Sequence, residues 1–485
     1  MLFLAFFLTA VVGSALLLLS DQGITFLLCC LAAATGLWIF AIPNRALVVY
    51  AFLIPLEVYL SEALHITSNQ IIQVVLLLSW IVSLIYKGER VVNPLGGWPR
   101  IRLLVFGWSI YLGLSLLWSI DIESSWRSAV RNFLAIGIFW VVIGTVRKWA
   151  QMEAVTTAIC LGATVVTVYA LLQYWRGDLD ALYPFFSPYY NTGILTDRGG
   201  GFNVVGTFAN PNMLAVFDVM VLPLMLGKIA NSKGTVRILW ILATVGLWAT
   251  TVLSFSKNGW IVTLLVLGAW GAVKYKLHRK RFVIPLVILT LSLPIYYASE
   301  ILKWINSIFP NMAEGSAIPR LRLWRVALGA FVQRPFVGYG QDGFATATLP
   351  WRGDIFTRDL GRAHDMYLQT LVDSGVVGFA LIFGTVAFIL VSGVRTYRET
   401  SSVASRTTIL SLLLSIGAFL WYGLFEAAGA FSACLSLQWV ILGLLVAAVT
   451  IYDKSKQLAV PSRVDPSHSL GARPLLAGRQ AVDHI

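Results

Sequence analysis

Long apolar runs alternate with short polar stretches along most of the chain. The runs lie near residues 2–19, 24–42, 46–60, 70–86, 103–119, 130–146, 152–174, 213–230, 236–254, 260–274, 282–298, 365–391, 408–427 and 434–451. About 20 apolar residues in helical form cross a hydrocarbon core about 30 Å thick. The pattern therefore predicts an all-α polytopic membrane protein with 12–14 transmembrane helices, since the runs at 46–60 and 260–274 are short for the purpose. Two segments interrupt the alternation, a loop near 175–212 and a longer one at 299–364. The chain then divides into transmembrane helices over 1–298, a large loop at 299–364, C-terminal helices over 365–452, and a tail at 453–485. The tail is rich in Pro, Ser, Gly and Arg with no apolar period, which predicts disorder on the cytoplasmic side.

Composition agrees with this division. Hydrophobic residues make up 58% of the chain and charged residues only 12%, about half the charged share of a soluble domain. The net charge of +13 would suggest a nucleic-acid partner in a soluble protein, but no nucleic-acid-binding module accompanies it. Instead the basic residues gather in alternate loops: Arg45; Lys87, Arg90, Arg100 and Arg102; Arg147 and Lys148; Lys228, Lys233 and Arg237; the cluster Lys274 to Arg281; and Arg395, Arg398 and Arg406. Short loops rich in Lys and Arg stay cytoplasmic, so both termini are expected inside and the two long segments outside. The first apolar run has no basic residue before it and leads straight into a second, which predicts a retained span rather than a cleaved signal. The four cysteines, Cys29, Cys30, Cys160 and Cys434, lie in apolar runs without metal-ligand spacing and are expected to act as small buried residues.

The outer segment 299–364 is long and basic, and long loops are exempt from the charge rule. Within it, Arg320 to Arg334 reads as a helix with Leu321, Trp324, Leu328 and Phe331 on one face. Arg320, Arg322 and Arg325 fall elsewhere on that helix. One reading is an interfacial helix in the headgroup plane. Another is a set of guanidinium forks for a diphosphate, since Arg binds phosphate oxygens in pairs and keeps its charge. The other outer segment contributes Arg198, the turn-forming Gly199, Gly200 and Gly201, and the step Asn210-Pro211-Asn212 that opens the next span. Asp178 and Asp180 form its one acidic pair and read as solvated charge, so metal-free chemistry with Arg at the leaving group fits better than a metal clamp.

Of the five histidines, only His364 lies at the mouth of a span between a basic loop and the bilayer. An imidazole titrates near neutral pH and suits removal of a hydroxyl proton. Its neighbour Asp365 reads as either a helix cap or an orienting partner.

The ordered set Gly206-Thr-Phe-Ala-Asn-Pro-Asn212, Ser256-Lys-Asn-Gly259, Arg320-Leu-Arg-Leu-Trp324, Pro335-Phe-Val-Gly-Tyr-Gly340, His364-Asp-Met-Tyr-Leu-Gln369 and Ser374-Gly-Val-Val-Gly378 resembles the O-antigen ligase and polymerase superfamily over roughly residues 100–450. The resemblance implies a GT-C-like fold with interfacial helices in one large periplasmic loop. It also implies a bacterial inner-membrane location and a site facing the periplasm. The implied reaction is metal-independent, inverting transfer of a glycan from undecaprenyl diphosphate without a cofactor, a step of lipopolysaccharide biosynthesis when the acceptor is lipid A-core. A lipid-linked chain is the acceptor in the polymerase branch. In the family pattern His364 takes the place of the proposed base and Arg320 that of a phosphate contact. Arg322, Arg325, Arg198, Lys257, Asn210, Asn212 and Asp365 complete the expected diphosphate and substrate set. The chain departs from the pattern at Lys257, where Arg is frequent, at Asn203, where an Arg is frequent and Arg198 is the candidate substitute, and at Asp365, in the place of Asn. Two other readings stay open. A transporter would use ionisable residues within spans, for which Glu57, Asp218, Asp373 and Glu426 are candidates. An oligosaccharyltransferase relative would glycosylate protein.

Overall fold

In the computed structural model, residues 36, 40–57, 59–61, 66–86, 98–176, 203–208, 210–274, 317–351 and 361–459 are described. The expected spans at 2–19 and 282–298, nearly all of that at 24–42, and the tail beyond 459 lie outside these residues, as do Arg198, Asp178 and Asp180. The helices are α1 (Pro43–Leu53), α2 (Ser68–Tyr86), α3 (Pro99–Ser115, continued by a 3-10 turn to Trp118), α4 (Ile122–Thr145), α5 (Trp149–Arg176), α6 (Pro211–Asn231) and α7 (Gly234–Leu253). They continue with α8 (Lys257–Lys274), α9 (Ala317–Gln333), the short α10 (Phe344–Ala347), α11 (Met366–Glu399), α12 (Val403–Tyr422) and α13 (Ser432–Ala459). Strands Tyr59–Ser61 and Ile66–Thr67 pair antiparallel between α1 and α2. Nine of the described helices are long and apolar enough to cross a membrane, and the chain is an all-α polytopic membrane protein.

Two helices form the axis of the bundle. The apolar window of α13 is 89% buried and that of α6 is 78% buried, against 17% for α2 and α7 at the rim. The α13 helix packs on α4, α11 and α12, and α6 packs on α5, α7, α8 and α12. Apolar side chains gain little by leaving lipid for protein, so close packing must hold such helices together. Gly443 of α13 allows that approach: a Cβ there would stand 2.9 Å from the Val142 Cβ on α4.

Local sequence sets the helix starts. Asn210 caps α6 through a bond from the Asn212 amide (2.8 Å), with Pro211 at the first helical position. Asp121 caps α4, accepting from the Ser124 amide at 3.1 Å. The run at 46–60 does not form a span. Helix α1 covers only 11 residues, about 16 Å of length. Ile54 still has helical backbone, but Pro55 has no N–H to continue the ladder, and the chain passes into the strand pair.

The largest departure from the sequence reading is inside α11. The run 365–391 reads as one continuous span, yet Gly375 has φ 59° and ψ −171° and breaks the helix. In a bilayer each backbone group freed by such a break costs several kcal/mol unless another group satisfies it. The segment Pro335–Gly340 satisfies them. Val376 N–H donates to the Pro335 carbonyl (2.8 Å) and Val377 N–H to that of Phe336 (3.2 Å), while Tyr339 and Gly340 N–H donate to the carbonyls of Val372 and Asp373 (both 3.0 Å). Tyr111 on α3 donates to the Ser374 carbonyl at 2.6 Å. Gly338 has φ 66°, and a Cβ there would stand 2.6 Å from the Asp373 backbone. Two motifs far apart in sequence, Pro335–Gly340 and Ser374–Gly378, are therefore one interlocked joint.

Candidate active site

The ends of the helices converge at one side of the bundle. Gly206, with φ 59°, is clasped by the Gln173 amide at the end of α5: its N–H donates to Oε1 (3.0 Å) and its carbonyl accepts from Nε2 (3.1 Å). Thr207 donates to the Pro55 carbonyl beyond α1, and Val204 N–H donates to that of Leu253 at the end of α7 (3.1 Å). These bonds fix the loop that delivers Asn210 and Asn212.

His364 stands at the mouth of α11 with φ 48°, a region that costs a non-glycine residue roughly 1–3 kcal/mol. Its Nδ1 is 2.8 Å from Glu426 Oε1. The His364 side chain is 39% exposed and that of Glu426 4%. The other carboxylate oxygen, Oε2, accepts from Asn212 Nδ2 at 3.0 Å. The Asn212 carbonyl accepts from the Tyr422 hydroxyl (3.2 Å), which also bonds Ser256 Oγ (2.7 Å). Asn258 Nδ2 donates to the Tyr422 carbonyl at 3.0 Å. One connected network thus joins the motifs that begin at Gly206, Ser256 and His364, with Glu426 at its centre.

Left-handed backbone at non-glycine residues occurs three times among the described residues, at Phe255, Asp342 and His364. All three lie at this end of the bundle, which agrees with the tendency of backbone strain to gather at functional sites.

The expected site residues sort as follows. Asp365 accepts from the amides of Tyr367 and Leu368, both at 2.8 Å, and so caps α11. Burial pushes its carboxyl above the usual range, against the pull of those two amides. Lys257 is the exposed first residue of α8, next to Ser256 of the network. Asn210 caps α6, and Asn212 touches Glu426. Arg320, Arg322 and Arg325 all lie on α9. Arg325 is exposed, and the side chains of Arg320 and Arg322 lie outside the described part. Of the α9 face read from the sequence, Phe331 packs against the apolar core shared with α11. Leu323, Val326, Ala327 and Ala330 are buried, whereas Leu328 is 49% exposed. Small alanines let α9 approach α11 closely. Ala327 and Ala330 share an apolar core with Ala363, the residue before His364, so the arginine helix and the imidazole are on the same side of the bundle.

Glu426 had no role at this site in the sequence reading. It lies 62 residues after His364, outside the motifs, in the turn between α12 and α13. Its one sequence cue was an acidic residue at the end of an apolar run.

A comparison with curated proteins finds no match. A family model described as O-antigen ligase matches residues 242–383. The matched segment holds Ser256–Gly259, the arginine helix, the interlocked joint and His364, while Asn212 and Glu426 lie outside it. The match supports the O-antigen ligase superfamily for this chain, and with it glycosyl transfer of the ligase or polymerase type.

Proposed function

We propose that this protein transfers a glycan from undecaprenyl diphosphate to an acceptor hydroxyl with inversion at the anomeric carbon, lipid A-core being the acceptor. The observation that carries this reading is the pairing of a half-exposed imidazole with a buried carboxylate, His364 Nδ1 to Glu426 Oε1 at 2.8 Å. A carboxylate at Nδ1 fixes the ring and its tautomer and stabilises the imidazolium that forms. Nε2 is then the proton acceptor.

The steps balance without a cofactor. His364 Nε2 takes the proton of the acceptor hydroxyl, and the oxygen attacks the anomeric carbon from the face opposite the diphosphate. The bond from that carbon to the diphosphate oxygen breaks, and undecaprenyl diphosphate leaves with the electron pair. Arg320, Arg322 and Arg325 on α9, with Lys257 and Arg198, hold the departing charge; such positioned cations commonly supply the largest share of the rate. The site faces the periplasm of a bacterial inner membrane in this reading. The opposite helix ends carry Lys228, Lys233, Arg237, Lys274, Arg395, Arg398 and Arg406, the sign of a cytoplasmic face.

The test is His364→Ala, assayed in purified form with lipid-linked glycan and lipid A-core and by complementation of a deletion strain. Transfer is expected to fall by about 100- to 10,000-fold, the usual range for a lost general base, with insertion and monodispersity intact. Unaltered transfer would reject the base. The deletion strain tests the acceptor. Loss of all long chains from lipopolysaccharide with lipid-linked polymer accumulating is expected, whereas single repeats on lipid A-core would assign the chain to polymerisation.

A further inference from the structure

A cavity of about 110 Å³ opens between α3, α4, α11 and α13, and no step above uses it. Met366, two residues after His364, and Ala427, the residue after Glu426, line it, so it adjoins the site. Its polar wall includes Arg131, Asp342, Asp373 and Gln438, and its apolar wall includes Trp108 and Trp439.

Two features say what it takes. The first is a pair of buried polar atoms in two of the residues that line it. Trp108 Nε1, in a residue 4% exposed, and Asp373 Oδ1, in one 6% exposed, both lack a hydrogen-bond partner among the described residues. The backbone amides of Asp342 and Phe344 approach the Asp373 carboxyl, but Oδ1 has no partner at hydrogen-bond distance and angle. A buried group left in this state costs about 1–3 kcal/mol. Indole N–H is a donor only and a carboxylate oxygen an acceptor, and hydroxyl groups serve both. The second feature is charge. Arg131 Nη2 stands 3.9 Å from Asp342 Oδ2, and Asp373 is a second carboxyl on the same wall. One cation facing two carboxyl groups leaves no positive excess for a phosphate, and a neutral polyol meets no such barrier. Indole faces suit the apolar face of a sugar ring.

We infer that this cavity binds one uncharged sugar ring of a glycan beside the transfer site, through Trp108, Asp373 and Gln438. The assignment to transfer rests on the function proposed above. The ring comes from the donor glycan or from the acceptor, which present the same chemistry here. The division of labour follows: the arginine helix takes the diphosphate, and the cavity takes a sugar.

The test uses the full chain in nanodiscs with Trp108→Phe, which removes the N–H and keeps an aromatic ring, and Asp373→Asn, which keeps the shape. Undecaprenyl diphosphate-linked glycan and lipid A-core are titrated separately. The expected result is a rise of about tenfold in KM for one substrate with kcat little changed, the pattern of lost uniform binding. A rise for lipid A-core identifies the acceptor sugar, and a rise for the lipid-linked glycan identifies the donor sugar. Unchanged KM values for both substrates, with His364→Ala still inactive, overturn the sugar site and leave the proposed function standing. If the unsubstituted protein transfers nothing, the proposed function fails and binding alone decides. Saturation-transfer NMR with delipidated glycan and with free core oligosaccharide should then give a signal that both variants lose, and equal signals from all three proteins overturn the site. Should Trp108→Phe lose its near-ultraviolet dichroism, Asp373→Asn carries the test.

Discussion

Two acid–base pairs hold opposite ends of this bundle, and they are built in opposite ways. At the basic end, Lys228 Nζ reaches Glu153 Oε1 at 2.6 Å, the Thr156 and Thr157 hydroxyls at 2.8 Å each, and the Glu153 carbonyl at 3.1 Å. Its side chain is 6% exposed and that of Glu153 48%. At the other end the acid is buried and the base is open, and the described residues give the imidazole a single side-chain bond. A buried ammonium with its donors spent ties α6 to α5 and has nothing left for a ligand. A half-open imidazole oriented by a buried carboxylate keeps one nitrogen for chemistry. Both pairs read alike in sequence, as a basic and an acidic residue near span ends; burial and the number of bonds already made tell them apart.

The comparison breaks most sharply at Glu426. Replacing it by Gln keeps the shape and removes the charge that supports the imidazolium. The expected outcome is a loss of about 100-fold in kcat with KM little altered, within the range for general-base effects. An unchanged kcat would make the pair a structural contact like the one at Lys228. A smaller effect is expected from Lys228→Met. Because Glu153 is half-exposed and water can solvate it, the cost is about 1–2 kcal/mol rather than the 3–5 kcal/mol typical of a fully buried pair broken in two. Thermal unfolding should fall by a few degrees while the transfer rate stays the same; a lost rate would show that the two ends are coupled.

The smallest effect belongs to Asp365→Asn. Asn caps a helix about as well as Asp, so transfer should be nearly unchanged, and a large loss would return Asp365 to the substrate set. The sign with pH also follows. Burial raises the Asp365 carboxyl above its ordinary value, so its contribution to stability is fully present at acid pH and is lost as pH rises through the raised value. The Asn variant escapes that loss, and its advantage in melting temperature over the parent should be largest at neutral pH and vanish on acidification.

Much of this was legible in the sequence because the underlying physics is local. Span length and hydropathy mark most of the described helices. The single histidine at a span mouth marks His364, and a capping residue before an apolar run marks Asn210 and Asp121. What stayed hidden depends on distant partners. Glu426 acquires meaning only when α12 brings it beneath His364. The break at Gly375, just after Asp373 and Ser374, stays hidden in a run long enough to read as one span, since the carbonyls and amides that make it tolerable come from Pro335–Gly340. The face by which α9 packs on the bundle was not marked by apolar size, since Leu328 stays exposed while Ala327 and Ala330 are buried.

The joint at Gly375 has a mechanical consequence. Membranes differ in thickness, and long spans accommodate the difference by tilting. A rigid rod of 34 residues, the full length of α11, would swing its outer tip whenever its lipid-facing portion leaned. Here the tip is fastened to its neighbours instead, through Met366 N–H on the Gly423 carbonyl (2.7 Å) and the Pro335–Gly340 backbone on the hinge itself. The imidazole is thereby insulated from the bilayer, and its alignment with the carboxylate beneath it survives changes in the lipid around it.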